Sequence, residues 1–186
     1  VLQAFDKAAK SNPSTCLLLC AADLLKPQVS ALASRLEAAG LTTALLERRF
    51  SPGHRVMVDE PTTALFGVDN VTARRDLDTA AFAMVVETGL GSGYRDFRNI
   101  RLHTFPGQRL PSQIWRAESA AQAEPELNDT YKKLADERKD ICGMTLLASR
   151  AVATPFVGAL AAVLALAEVM RPLHGGLVYA ALDVQP

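Results

Sequence analysis

Three groups of side chains in this sequence could do chemistry, and each sits at a break in the chain pattern. Asp69 and Asn70 close the apolar run "TALFGV" and head the segment "NVTARRDL", which carries Arg74 and Arg75. A strand that stops where a helix begins presents free backbone N–H groups and a positive helix end, which suit phosphate. A carboxylate there can hold Mg²⁺ while phosphates complete its coordination. Asp69 or Asn70 can equally be a helix N-cap and nothing more. Lys26 follows one helical segment and precedes Pro27. Its ammonium could steady a leaving pyrophosphate, or it could simply complement a helix C-terminus. Cys142, in "DICGMTLL", divides a charged stretch from an apolar one. A thiolate near a helix N-terminus gains reactivity, whereas a cysteine buried there is inert.

Other reactive residue types carry less. Cys16 and Cys20 are expected on one helix, facing one side, as core residues. No CxxC pair occurs, so no structural zinc is expected. The run "GLGSG" (89–93) follows a strand but lacks the third glycine of a dinucleotide fingerprint, and is read as a tight turn or bulge. An NAD-type site would also need an acidic residue about 20 positions on. The stretch "PGQRLPSQIWRAE" supplies none before Glu118. His54 lies in a turn, His103 on an expected exposed strand face and His174 at a helix end. None of the three is assigned a role.

The elements that must position these residues follow from periodicity. "VLQAF" reads as a short strand, "STCLLLCAADLL" as a helix, and "PQVSALASRLEAAG" as a helix closed by Gly40. "LTTALLERRF" and "TALFGV" read as strands, and "FAMVVETGL" as a strand buried on both faces. Alternating strands and helices predict an α/β fold: a Rossmann-like, mostly parallel sheet with flanking helices. The later part differs. "FRNIRLHTF" alternates as a one-faced antiparallel strand does, and "GLVYAALDV" is a final strand. Between them a long Ala-rich helix is expected to be buried, after a polar crossover loop and helix over 106–141.

Bulk properties narrow the function. The chain has 186 residues, of which 49% are apolar, and its formal net charge is zero. That suits one globular domain over 1–186 and gives no footprint for nucleic acid or an anionic membrane. Three cysteines are too few for a secreted disulfide framework, so a reducing, cytoplasmic setting is expected. "AVATPFVGALAAVLALAEVM" (151–170) approaches the roughly 20 apolar residues of a membrane span. Pro155, Glu168 and Arg171 bound it closely, and its Ala and Gly content suits a soluble core or dimer-interface helix.

The order of these pieces resembles the ubiquitin-activating-enzyme fold, most closely its bacterial ThiF and MoeB type adenylyltransferases. The resemblance rests on "AFD" at 4–6, "SNPST" at 11–15, Lys26, "VDNVTAR" at 68–74, and the block from Cys142 to Gly176. It implies ATP-dependent adenylation, with Mg²⁺, of the C-terminal glycine of a ubiquitin-like or sulfur-carrier protein. Carried over, Asp69 would hold Mg²⁺ and act in catalysis. Asn12, Lys26, Asn70 and Arg74 would contribute to the nucleotide site, and Cys142 would accept the activated carrier. A homodimer is implied as well. The family's opening strand, Gly-rich loop and first helix have no counterpart, so the chain aligns from near the second strand. Ala4 and Thr15 replace residues that usually contact ribose and phosphate. The alternative that follows is a catalytically inactive scaffold acting as a dimer partner.

Overall fold

A computed structural model describes residues 1–91, 97–116 and 154–185. They form two compact units, one built on Val1–Phe50 and one on the described residues from Ser51 to 116 and from Phe156 to 185.

In the first unit, β1 (Leu2–Gln3) pairs in parallel with β2 (Leu45–Leu46). Between them run α1 (Asn12–Thr15), a 3-10 turn (Ala21–Asp23) and α2 (Gln28–Ala38). Helix α2 forms as its periodicity predicts and buries Val29, Ala31 and Ala33. Its end is set by Gly40, at φ +87, the left-handed conformation that glycine adopts without steric cost. A small core joins Ala31 to Ala8 and Leu19.

The helix expected over "STCLLLCAADLL" does not form. α1 starts instead at Asn12, with Ser11 as its N-cap, and stops at Cys16, whose backbone is extended (φ −127, ψ 125). The Asp23 carboxylate accepts the Cys20 backbone N–H at 3.0 Å and its thiol at 3.2 Å. A short acidic side chain that binds nearby backbone offers the chain an alternative to the helix ladder. Cys16 is therefore half-buried and Cys20 exposed, not two core residues of one helix. The strand expected over "LTTALLERRF" shrinks to Leu45–Leu46.

The second unit is a four-stranded sheet in the order β3 (Thr63–Phe66), β4 (Met84–Leu90), β5 (Ile100–Phe105), β6 (Ala181–Val184). β3 and β4 are parallel, and the other neighbours are antiparallel. The α/β class is as expected, with an antiparallel C-terminal portion. α3 (Val71–Arg75) and a 3-10 turn (Asp76–Thr79) connect β3 to β4. α4 (Pro111–Ile114) follows β5, and α5 (Pro155–Leu173) precedes β6.

Alternation along the strands divides the sheet into two faces. On one, Val86, Ile100 and Leu102 pack against Val157, Ala161 and Ala165 of α5. The alanines let the helix approach the sheet closely. Glu168, also on the inner side of α5, is buried and accepts from Arg171 Nε (2.7 Å) and the Tyr179 N–H (3.0 Å). Arg171 in turn lies 4.6 Å from the Tyr179 ring centre. The helix closes on "LHGG": Gly175 has φ +74, and the Gly176 N–H donates to the Arg171 carbonyl at 2.9 Å. α5 is long and apolar enough to cross a membrane by length and composition, yet one side of it is packed on the sheet. Its other side leaves Phe156, Leu160, Val163, Leu166, Met170 and Leu173 exposed.

Asp23 generates a pH prediction. Arg35 pairs with its carboxylate, and the Lys26 ammonium stands 3.6 Å away. The Arg35 hydrogen bond, followed by those from the Cys20 N–H and thiol, holds this carboxyl well below the usual carboxylate range. A depressed folded-state value means stability that is complete above the unfolded value of 3.8 and is lost as pH falls below it. Urea denaturation should show Asp23→Asn less stable than the parent by a constant margin from pH 5 to 8. That margin should narrow below about pH 4, where the unfolded carboxyl takes up its proton.

Candidate functional site

The four residues from Gly67 to Asn70 connect the carboxyl end of β3 to α3. Ligands of open α/β sheets bind beyond strand ends of this kind. Asn70 is the N-cap of α3, and its side-chain oxygen accepts the Ala73 N–H at 3.1 Å. Asp69, its neighbour, is exposed. Capping thus falls to the amide and not to the carboxylate, and Asp69 carries no hydrogen bond or ion pair among the described residues. The described residues contain no cluster of three or more His, Cys, Asp or Glu that could hold a metal without help. A single accessible carboxylate does suit Mg²⁺, which keeps waters and takes its remaining ligands from phosphates. Asp69 is a carboxylate of that accessible kind.

Arg74, one turn along α3, is directed at the sheet. Its Nε lies 2.8 Å from Oε1 of Glu87, a β4 side chain that is 1% exposed. The contact is an ion pair without hydrogen-bond alignment. The other Glu87 oxygen, Oε2, is 3.0 Å from His103 Nδ1. Glu87 and His103 are directly opposite in the β4–β5 register, so their side chains share a face. With Glu87 as a carboxylate, Nδ1 is the nitrogen that carries the hydrogen and donates.

Aromatic rings close the cluster. The Trp115 ring stands edge-on to His103, with centroids 5.0 Å apart, and Arg74 Cζ is 5.6 Å from its centre. Phe105 stacks beside His103 at 6.3 Å. Trp115 is placed by α4, whose Ser112 N–H donates to Asp78 at 3.2 Å. Gly89 also contributes, because a Cβ there would lie 3.4 Å from Arg74 Nη2. The first glycine of "GLGSG" is therefore a β4 residue beside a guanidinium, as far as Gly91 the chain is described, and 92–96 lie outside the described residues.

His103 is buried, against the expected exposed strand face. The alternation of "IRLHTF" correctly puts Ile100 and Leu102 on the α5 side. The opposite face is covered too, by Arg74, Phe105 and Trp115. Sequence reasoning missed Glu87 and His103 as a pair. The available signal was a carboxylate ending the fully apolar run "FAMVV", in a strand read as buried on both faces. Such a charge needs a partner.

The remaining candidates lie in the first unit or outside the described residues. Asn12 Oδ1 accepts the Ala9 N–H at 2.6 Å and is 3.5 Å from Gln28 Nε2. The Lys26 side chain is 57% exposed and near Asp23. Asn12 and Lys26 thus belong to one unit, and Asp69, Asn70 and Arg74 to the other. Cys142 lies outside the described residues, as does residues 117–141 of the expected crossover segment.

Comparison with known proteins places the chain among relatives of the E1-like class. It is 46% identical over 178 residues to the bacterial E1-like protein BilD of Collimonas sp. (strain OK412). That alignment covers 95% of this chain and 38% of the relative, so the chain spans well under half of the relative's length. The family model described as the BilD C-terminal domain matches residues 1–176, and the chain belongs to that family. No solved structure matches.

The cap assignment gives a direct test. Asn70→Ala should cost about 1 kcal/mol in urea denaturation, while Asn70→Asp, which keeps a capping oxygen, should cost little.

Proposed function

We propose that this chain contributes to ATP-dependent adenylation of the C-terminal glycine of a ubiquitin-like or sulfur-carrier protein. The activity is proposed for the full-length protein, in the manner of ThiF and MoeB type enzymes. The observation that carries the reading is Asp69: an exposed carboxylate beyond the carboxyl end of β3, beside an asparagine that already caps the helix. The E1-like relative supports it independently.

In the reaction the carrier's terminal carboxylate attacks the α-phosphorus of ATP. The bond from that phosphorus to the bridging oxygen breaks, and pyrophosphate leaves with the electron pair. An acyl-adenylate is the product. Asp69 would hold Mg²⁺, which when bound neutralises charge on the phosphates. Lys26, whose ammonium is largely in solvent, is proposed as a phosphate contact on its charge alone. Asn12 is proposed as a further contact to the nucleotide. Catalysis on this reading is positioning and charge stabilisation, with little covalent chemistry required of the protein. Cys142 is the proposed acceptor of the activated carrier, by attack of its thiolate on the acyl carbon with release of AMP.

Association is part of the proposal. The apolar outer side of α5, from Phe156 to Leu173, is the proposed contact in a homodimer, in the cytoplasm. The same feature favours a second reading, in which the chain is an inactive E1-like scaffold that only buttresses a partner.

Carrier-dependent ATP–pyrophosphate exchange separates the two. The full-length protein should catalyse it, and Asp69→Ala should reduce it by about 100-fold or more. An inactive parent protein that binds no ATP would leave only the scaffold.

A further inference from the structure

Helix α3 has five residues, and none of them is buried. A helix of that length does not hold itself, because one turn cannot repay the cost of its nucleation. Asn70 caps it, and α4 and the following 3-10 turn border it. Its deepest attachment is Arg74, whose side chain reaches the fully buried Glu87 near the middle of the sheet. Glu87 cannot turn away freely, because its second oxygen is held by His103 on the neighbouring strand. Trp115 covers both partners. A chain of contacts thus runs from β5 through β4 into α3, and α3 begins at the residue after Asn70.

We infer that Glu87 is a positioning residue for the Asp69–Asn70 loop: through Arg74 it fixes α3, and α3 fixes where the Asp69 carboxylate stands. As a statement about the reaction this rests on the adenylation reading. As a statement about the loop it does not. Arg74 then acts from inside the fold. The Arg74–Glu87 pair is close but not aligned as a hydrogen bond, so its hold depends on charge, and the orientation of the carboxylate is set by His103. Replacing Glu87 by glutamine keeps shape and volume while removing that charge. The guanidinium is then left without a counter-ion in a largely desolvated place.

The test uses the full-length protein and its Glu87→Gln variant, compared by amide hydrogen exchange and by ATP–pyrophosphate exchange. The hydrogen-bonded amides of Ala73, Arg74 and Asp76 should exchange at least about tenfold faster in the variant, with Ile100–Phe105 unchanged. The KM for ATP at fixed Mg²⁺ should rise, or kcat fall, by about tenfold, with the KM for the carrier unmoved. Equal acceleration in α3 and β5 would show a merely structural role and overturn the inference. So would an unchanged α3. If the parent protein shows no pyrophosphate exchange, the adenylation reading fails, and the amide pattern alone decides the positioning. Should Glu87→Gln not fold, Arg74→Leu serves: it removes the charge from the helix side of the pair, and the same local pattern is expected.

Discussion

The structure of the second unit turns on one carboxylate. Glu87 is almost wholly removed from water and is shared between a guanidinium on one side and an imidazole on the other. Burying a charge is costly unless it is paired, and breaking such a pair costs more than either partner alone is worth. The residues around Glu87 meet that demand from two directions. Arg74 comes from α3 and His103 from β5, and the ring of Trp115, from beyond α4, lies against both of these partners. One requirement therefore ties together elements that are far apart in the chain. It does so on the face of the sheet that α5 does not cover.

The opposite face works by a different rule. There Val86, Ile100 and Leu102 meet Val157, Ala161 and Ala165 in an apolar contact with little polar demand. The hydrophobic effect is non-directional, so this face can hold the sheet without choosing where a particular side chain points. Direction comes from the polar face. Asn70, which binds its own helix, and Arg74, which binds the sheet, leave Asp69 as the acidic group at that strand end with its carboxylate in solvent. The same division recurs at Glu168, where a buried carboxylate fixes the chain after α5 by taking the Tyr179 N–H.

Local pattern and tertiary demand were unequally legible in the sequence. The strand in "FAMVVETGL", the antiparallel strand in "IRLHTF" and helix α2 follow from period and glycine placement, and all three form. The helix read over "STCLLLCAADLL" fails because the Asp23 carboxylate, four residues from Leu19, captures the Cys20 backbone, a competition that apolar periodicity does not register. The junction at Asp69–Asn70 was visible, because a strand end and a cap are local events. The pairing of Glu87 with His103 was not. It depends on the register of two strands, and a shift of one residue would send either side chain to the other face. The membership of the E1-like class was legible in the Asp-Asn element and in the block running to Gly176.

Arg74 and Glu87 must be energetically coupled if the sheet is to hold α3 in place. A double-mutant cycle measures this most directly, with Arg74→Leu, Glu87→Gln and the double variant compared by urea denaturation. A coupling of about 2 kcal/mol is expected, with the double variant losing much less than the two single losses combined. Losses that add to within about 0.5 kcal/mol would contradict it, since residues that share no interaction behave that way.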